Sequence, residues 1–142
     1  MMTFQVKSLT DYEAVFSSLN SKTVLLKGLM GAGKTTFVKE FLRFKYSLSD
    51  KELTRLGVMS PTFSIENHYK VKDQNIIHCD FYRVNKSNYE TEELLESLED
   101  FDWIFIEWAE NLGLEDILKD RCTVEIQIDG DAQNCLRKVN LF

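Results

Sequence analysis

Gly28-Leu-Met-Gly-Ala-Gly-Lys34-Thr35 has the spacing G-x-x-x-x-G-K-[ST] of a phosphate-binding loop. Its chemistry follows from its residue types. Glycines at Gly28, Gly31 and Gly33 let backbone N–H groups converge on phosphate oxygens without Cβ clashes. Met30, Ala32, Thr35 and Thr36 extend the same cradle, and a helix starting there adds partial positive charge. Lys34 is placed to reach the β- and γ-phosphates, and the Thr35 hydroxyl to ligate Mg²⁺.

Such a loop needs a second acidic group to hold the metal. Glu107, directly after the apolar run Trp103-Ile-Phe-Ile106, is the best candidate. It could bind Mg²⁺ directly, bind it through water, or polarise the attacking water; an ordinary strand-end carboxylate is the plain alternative. Trp108 beside it packs either on the nucleotide or, the blander reading, on the core. Asp80 ends Ile76-Ile-His-Cys-Asp80 and would project at the carboxyl edge of the sheet, where open α/β sheets bind ligands. Thr62 lies in a proline-bearing loop of the kind that can sense a γ-phosphate through its hydroxyl. Arg83 serves phosphate charge, a partner or a surface ion pair. His78-Cys79-Asp80 has no further His or Cys at metal-ligand spacing, so His78 reads as a satisfied strand residue. Asn85-Lys86-Ser87-Asn88 lacks the aspartate that would read guanine, which favours ATP over GTP.

The elements that must position these groups are legible in the periodicity. Thr23–Lys27 reads as a buried strand and 36–43 as a helix, the order that a phosphate-binding loop requires. A strand at 4–6 precedes a helix capped by Thr10 and Glu13, with Tyr12, Val15, Phe16 and Leu19 on one side. Ser49 and Glu52 form a second capping box, for a helix that Gly57 ends. Segments 65–71 and 75–81 predict an antiparallel hairpin through Lys72-Asp73-Gln74. Ser87 and Glu90 start an acidic helix carrying Leu94, Leu95 and Leu98, most simply a solvated face and alternatively a surface for a basic partner. A strand at 103–106, a helix over 111–119 and strands at 122–128 and 136–141 follow, with Asp129-Gly130-Asp131 as a turn signal. The predicted fold class is α/β: a P-loop NTPase fold, its central sheet mixed and mostly parallel, with antiparallel edge strands and helices on both faces.

The 142 residues, 44% of them hydrophobic, suit one domain spanning 1–142. A net charge of −6 argues against tight nonspecific nucleic-acid binding by this chain alone, so no DNA partner is expected. Cys79, Cys122 and Cys135 form no C-x-x-C pair and suggest reduced thiols in a cytoplasmic protein. No apolar run reaches the length of a membrane span, and residues 1–10 lack the core of a signal peptide.

Taken in order, Gly28 to Thr36, Ser60-Pro-Thr-Phe63, His78-Cys-Asp-Phe-Tyr-Arg83 and Ile106-Glu-Trp-Ala-Glu110 resemble the TsaE family over nearly the whole chain. These are small bacterial ATPases of threonylcarbamoyladenosine tRNA modification. Ala109 stands where the family often has proline, Phe81 where leucine is common and Cys79 where phenylalanine is; these swaps touch packing. The resemblance implies that Lys34 binds phosphate, that Thr35 and Glu107 hold Mg²⁺, that Asp80 is needed for ATP hydrolysis and that Thr62 belongs to a switch-like loop. It implies ATP as substrate, the threonylcarbamoyl transferase subunit and its inactive paralogue as partners, and tRNA reached only through that complex. Two other classes compete. A small-molecule kinase would need an acceptor pocket and commonly a basic lid, and no arginine-rich lid segment is present. A nucleotide-gated binding module would use ATP only to order residues 60–63.

Overall fold

Alternation along the strands decides which side chains face which helices. The computed structural model describes residues 1–131 and 136–142. Its elements run β1 (Met2–Val6), α1 (Tyr12–Ser17), β2 (Thr23–Lys27), α2 (Lys34–Tyr46), α3 (Asp50–Leu56), β3 (Glu66–Val71), β4 (Gln74–Asp80), α4 (Thr91–Leu98), β5 (Trp103–Glu107), α5 (Leu114–Ile117), β6 (Cys122–Asp129) and β7 (Leu136–Leu141). The strands form one sheet in the order β1-β7-β6-β2-β5-β4-β3. Its middle, β6-β2-β5-β4, is parallel. β3 on one side and β7 and β1 on the other pair antiparallel.

Val24, Leu26, Ile76, Phe105, Val124 and Ile126 lie on one face, against Phe16 of α1 and Phe37 and Phe41 of α2. The intervening residues Leu25, Ile77, Cys79, Ile104 and Ile106 lie on the other, against Leu94 and Leu98 of α4 and Leu114 of α5. Helices therefore cover both faces, as the α/β reading requires. Phe37, Phe41 and Phe105 are fully buried, and each such side chain contributes about 1.5–3 kcal/mol by leaving water. The same period of two puts His78 and Asp80 on the face of Ile76, and Glu107 on the face of Phe105. All three polar groups thus look toward α2.

Several boundaries differ from expectation for local reasons. α2 is longer at both ends, so Lys34 is its first residue. At the first helix the Asp11 carboxylate accepts the Lys7 and Ser8 N–H groups, while the Thr10 hydroxyl bonds that of Ser8, so the Thr10–Glu13 box does not form. The Ser49–Glu52 box forms as expected, with Gly57 as the left-handed cap. The hairpin turn is two residues, Lys72 and Asp73, both at positive φ, because Gln74 already pairs with Val71. α4 starts at Thr91 rather than near Ser87. The Asn85 and Asn88 side chains accept backbone N–H groups at 87 and 85 and hold that segment in a turn. The predicted helix over 111–119 is broken at Gly113, which sits at φ 64 between a 3₁₀ turn and α5. Cys79 and Cys122 are buried free thiols, whereas Cys135 lies outside the described residues.

Candidate functional site

The loop between β2 and α2 is shaped by backbone that only glycine tolerates. Gly28 has φ 152, and a Cβ there would stand 2.6 Å from the Ile126 carbonyl oxygen of β6. Gly33, at φ 110, is the N-cap of α2. Gly31 also has positive φ but open space around it. Gly28→Ala is therefore expected to lower stability by about 1–3 kcal/mol, the cost of a strained backbone position, and to weaken nucleotide binding. Gly31→Ala should be milder on both. Thermal melts and nucleotide titrations of the two variants check the ordering.

The first turn of α2 carries Lys34, Thr35 and Thr36, whose N–H groups have no intrahelical partners. Lys34 Nζ donates to the carbonyls of Gly28 at 2.5 Å and Leu29 at 3.2 Å. It lies 3.6 Å from Glu107 Oε1. Glu107 is the last residue of β5, in parallel register with Leu26 of β2 and Asp80 of β4. It is almost wholly buried, and its Oε2 accepts a hydrogen bond from His78 Nε2 at 2.8 Å.

Asp80 spans two loops. Its Oδ2 accepts the Thr62 hydroxyl at 2.6 Å and its Oδ1 accepts the Tyr82 N–H at 2.9 Å. The Thr62 hydroxyl also lies 2.7 Å from that of Ser60. Ile65, a β-branched residue at φ 68, ends this loop; its N–H donates to the Pro61 carbonyl and its own carbonyl accepts the Asp80 N–H. Holding such a residue in the left-handed region costs about 1–3 kcal/mol, so the surrounding bonds over-determine the loop's shape.

These groups surround one cavity of about 520 Å³. Met30, Gly31, Gly33, Lys34, Thr35, Thr36, Thr62, Asp80, Glu107 and Trp108 all line it, joined by Leu29, Ser60 and Tyr82. Gly28 and Ala32 instead border a neighbouring cavity of about 570 Å³, walled by Leu29, Ile126 and Ile128. Trp108 borders both cavities. It also packs against the second core and tilts over Tyr82 with ring centroids 5.1 Å apart. Arg83 is not among the residues lining either cavity and stacks on the Phe63 ring at 4.5 Å.

The oxygens of Thr35, Thr62, Asp80 and Glu107 are hard donors facing one space. Among the described residues, no group of three or more His, Cys, Asp or Glu side chains is placed to hold a metal ion. Hard oxygen donors of this kind are those Mg²⁺ takes, one or two carboxylates with water and phosphate completing its shell. Cys79 lies on the face of β4 opposite that of His78 and Asp80, so those three side chains do not converge.

Two contacts escaped the sequence. His78 binds Glu107, for which its shared face with Asp80 was the available signal. Arg137 Nε donates to the Ala32 carbonyl at 2.7 Å and so braces the glycine loop from β7; its separation of 105 residues leaves no local signal.

The family model described as "Threonylcarbamoyl adenosine biosynthesis protein TsaE" matches residues 6–139. The chain belongs to the TsaE family. A relative described as tRNA threonylcarbamoyladenosine biosynthesis protein TsaE, from Aquifex aeolicus, is 41% identical over 69 residues, covering 49% of this chain and 48% of the relative. A protein of the same description from Rickettsia bellii is 40% identical over 88 residues, 61% of this chain and 56% of the relative. The chain thus spans about half the length of these TsaE relatives. The crystal structure of Bacillus subtilis YdiB superposes with a TM-score of 0.64 at 24% identity, covering 99% of this chain and 83% of that one. That likeness bears out the P-loop fold expected of a TsaE protein. Among the described residues, no helix is long and apolar enough to cross a membrane.

Proposed function

We propose that this TsaE-family chain binds Mg-ATP in the cavity between its glycine loop and β4–β5, and hydrolyses it to support threonylcarbamoyl modification of adenosine in tRNA. The convergence of Lys34, Thr35, Asp80 and Glu107 on one cavity carries this reading. Lys34 moves from the Gly28 and Leu29 carbonyls onto the phosphates, which offer it charged acceptors. The free N–H groups of the first α2 turn bind the same phosphates. Thr35 and Glu107 would hold Mg²⁺, which neutralises charge developing on the phosphates. Asp80 fastens the Thr62 loop beside them. The apolar wall of Leu29, Ile126 and Ile128 takes the adenine, with Trp108 at its border. Partners are the threonylcarbamoyl transferase subunit and its inactive paralogue. The acidic surface suits contact with tRNA through them rather than directly.

The test is to purify the chain with those partners and measure ATP hydrolysis and tRNA modification together. Both should depend on the chain. ATP binding without turnover, partners present, would select a nucleotide-gated binding module instead. Turnover strictly dependent on one small hydroxyl compound would select a kinase.

A further inference from the structure

We propose that His78 is a positioning residue for Glu107. It holds Oε2 through its Nε2–H and leaves Oε1 on the phosphate-loop side for the metal. This rests on the reading of Glu107 as a Mg²⁺ ligand.

His78 is completely buried, in the middle of β4 and in register with Phe105 of β5 and Asn67 of β3. A carboxylate oxygen only accepts, so the shared hydrogen is on Nε2. The other ring nitrogen, Nδ1, is buried and has no hydrogen-bond partner among the described residues. Buried polar atoms are ordinarily satisfied, and an apolar side chain of similar size would fill this space without leaving one orphaned. Among the described residues, the imidazole's polar chemistry is therefore committed to a single contact, the Glu107 carboxylate.

That contact matters because Lys34 cannot do the same job throughout the cycle. Its Nζ stands 3.6 Å from Oε1, and on the proposed reading it transfers to the phosphates. His78 is then the donor left on Glu107. A carboxylate buried among apolar strand residues and free to rotate would present its oxygens in several orientations. One held at Oε2 presents Oε1 in one direction. Groups that orient a ligand in this way typically change metal affinity by about 10–100-fold when removed.

The experiment uses the full chain and a fluorescent ATP analogue. Binding is measured without Mg²⁺ and then as a Mg²⁺ titration, with thermal melts alongside. His78→Leu should raise the Mg²⁺ midpoint by about 10-fold or more and leave Mg²⁺-free binding near the wild-type value. His78→Gln, whose amide nitrogen reaches the Nε2 position, should recover most of the midpoint. His78→Asn, whose nitrogen falls short near Nδ1, should not. An unchanged midpoint in folded His78→Leu overturns the inference, as does an equal loss in the Gln and Asn variants. If His78→Leu does not fold, the Gln–Asn comparison decides. Mg²⁺-insensitive nucleotide binding by the wild-type chain would overturn the underlying metal reading; Mg²⁺-sensitive binding that His78 does not influence overturns only this assignment.

Discussion

Lys34→Ala is expected to reduce ATP affinity by a factor of roughly 10²–10⁴, enough to abolish detectable hydrolysis. Hydrogen bonds to charged groups contribute about 1.5–3 kcal/mol each, and an ammonium on two phosphate oxygens makes at least two of them. At about 1.4 kcal/mol per tenfold, their loss spans that range. The fold should survive. Among the described residues, Lys34 is tied only to the Gly28 and Leu29 carbonyls and, at 3.6 Å, to Glu107. Those carbonyls border the cavities, where water replaces the lost donor. Breaking a fully buried ion pair costs about 3–5 kcal/mol, and the greater length of this one places its loss well below that. Nucleotide titration with a parallel thermal melt separates the two effects. A folded Lys34→Ala variant with wild-type affinity would rule out the phosphate-binding role of the loop.

The elements that hold this lysine in place were legible because their signals are local. Thr23–Lys27 is a strand run with its first four residues buried, and the glycine spacing is contiguous; the Ser49–Glu52 cap of α3, elsewhere in the fold, was legible for the same reason. Glu107 and Asp80 were legible as candidates because each ends an apolar strand. Their meeting also depended on strand order: β5 inserts between β2 and β4, so Glu107 falls level with Asp80. The His78–Glu107 bond needs that order as well as a diagonal reach across neighbouring strands, which no pattern within one strand encodes. The Arg137 brace needs β7 to lie on the far side of β6. The misplaced start of α4 has a different origin. The Ser87-to-Glu90 spacing is that of a capping box, but the Asn85 side chain takes the Ser87 N–H that Glu90 would have accepted, and the Asn88 side chain takes the Asn85 N–H and fixes the turn. The break at Gly113, between a 3₁₀ turn and α5, has a local signal in the glycine itself, which takes φ 64 at no steric cost.

Glu107→Gln is expected to separate metal dependence from nucleotide binding. Glutamine has nearly the same shape, and its carbonyl oxygen can still accept the His78 Nε2–H that Glu107 Oε2 receives at 2.8 Å. Packing is therefore preserved while the negative charge is removed. Losing a charged ligand oxygen should weaken Mg²⁺ by at least the roughly 10–100-fold that removing a group behind a ligand costs, with Mg²⁺-stimulated hydrolysis falling at least as far. Nucleotide binding without Mg²⁺ should move the other way. The carboxylate lies beside Lys34 and faces the space assigned to the phosphates, where it repels a triphosphate. Two like charges a few ångströms apart near a protein surface interact by about 3–4 kcal/mol, so relieving even part of that repulsion tightens Mg²⁺-free binding several-fold. A carboxylate that merely stabilised the end of β5 would lower both affinities together, along with the melting temperature. Opposite signs in the two titrations, with no more than the small drop in melting temperature that losing the 3.6 Å contact to Lys34 brings, are the signature of a metal ligand set against a phosphate. A parallel decline in both would remove Glu107 from the site.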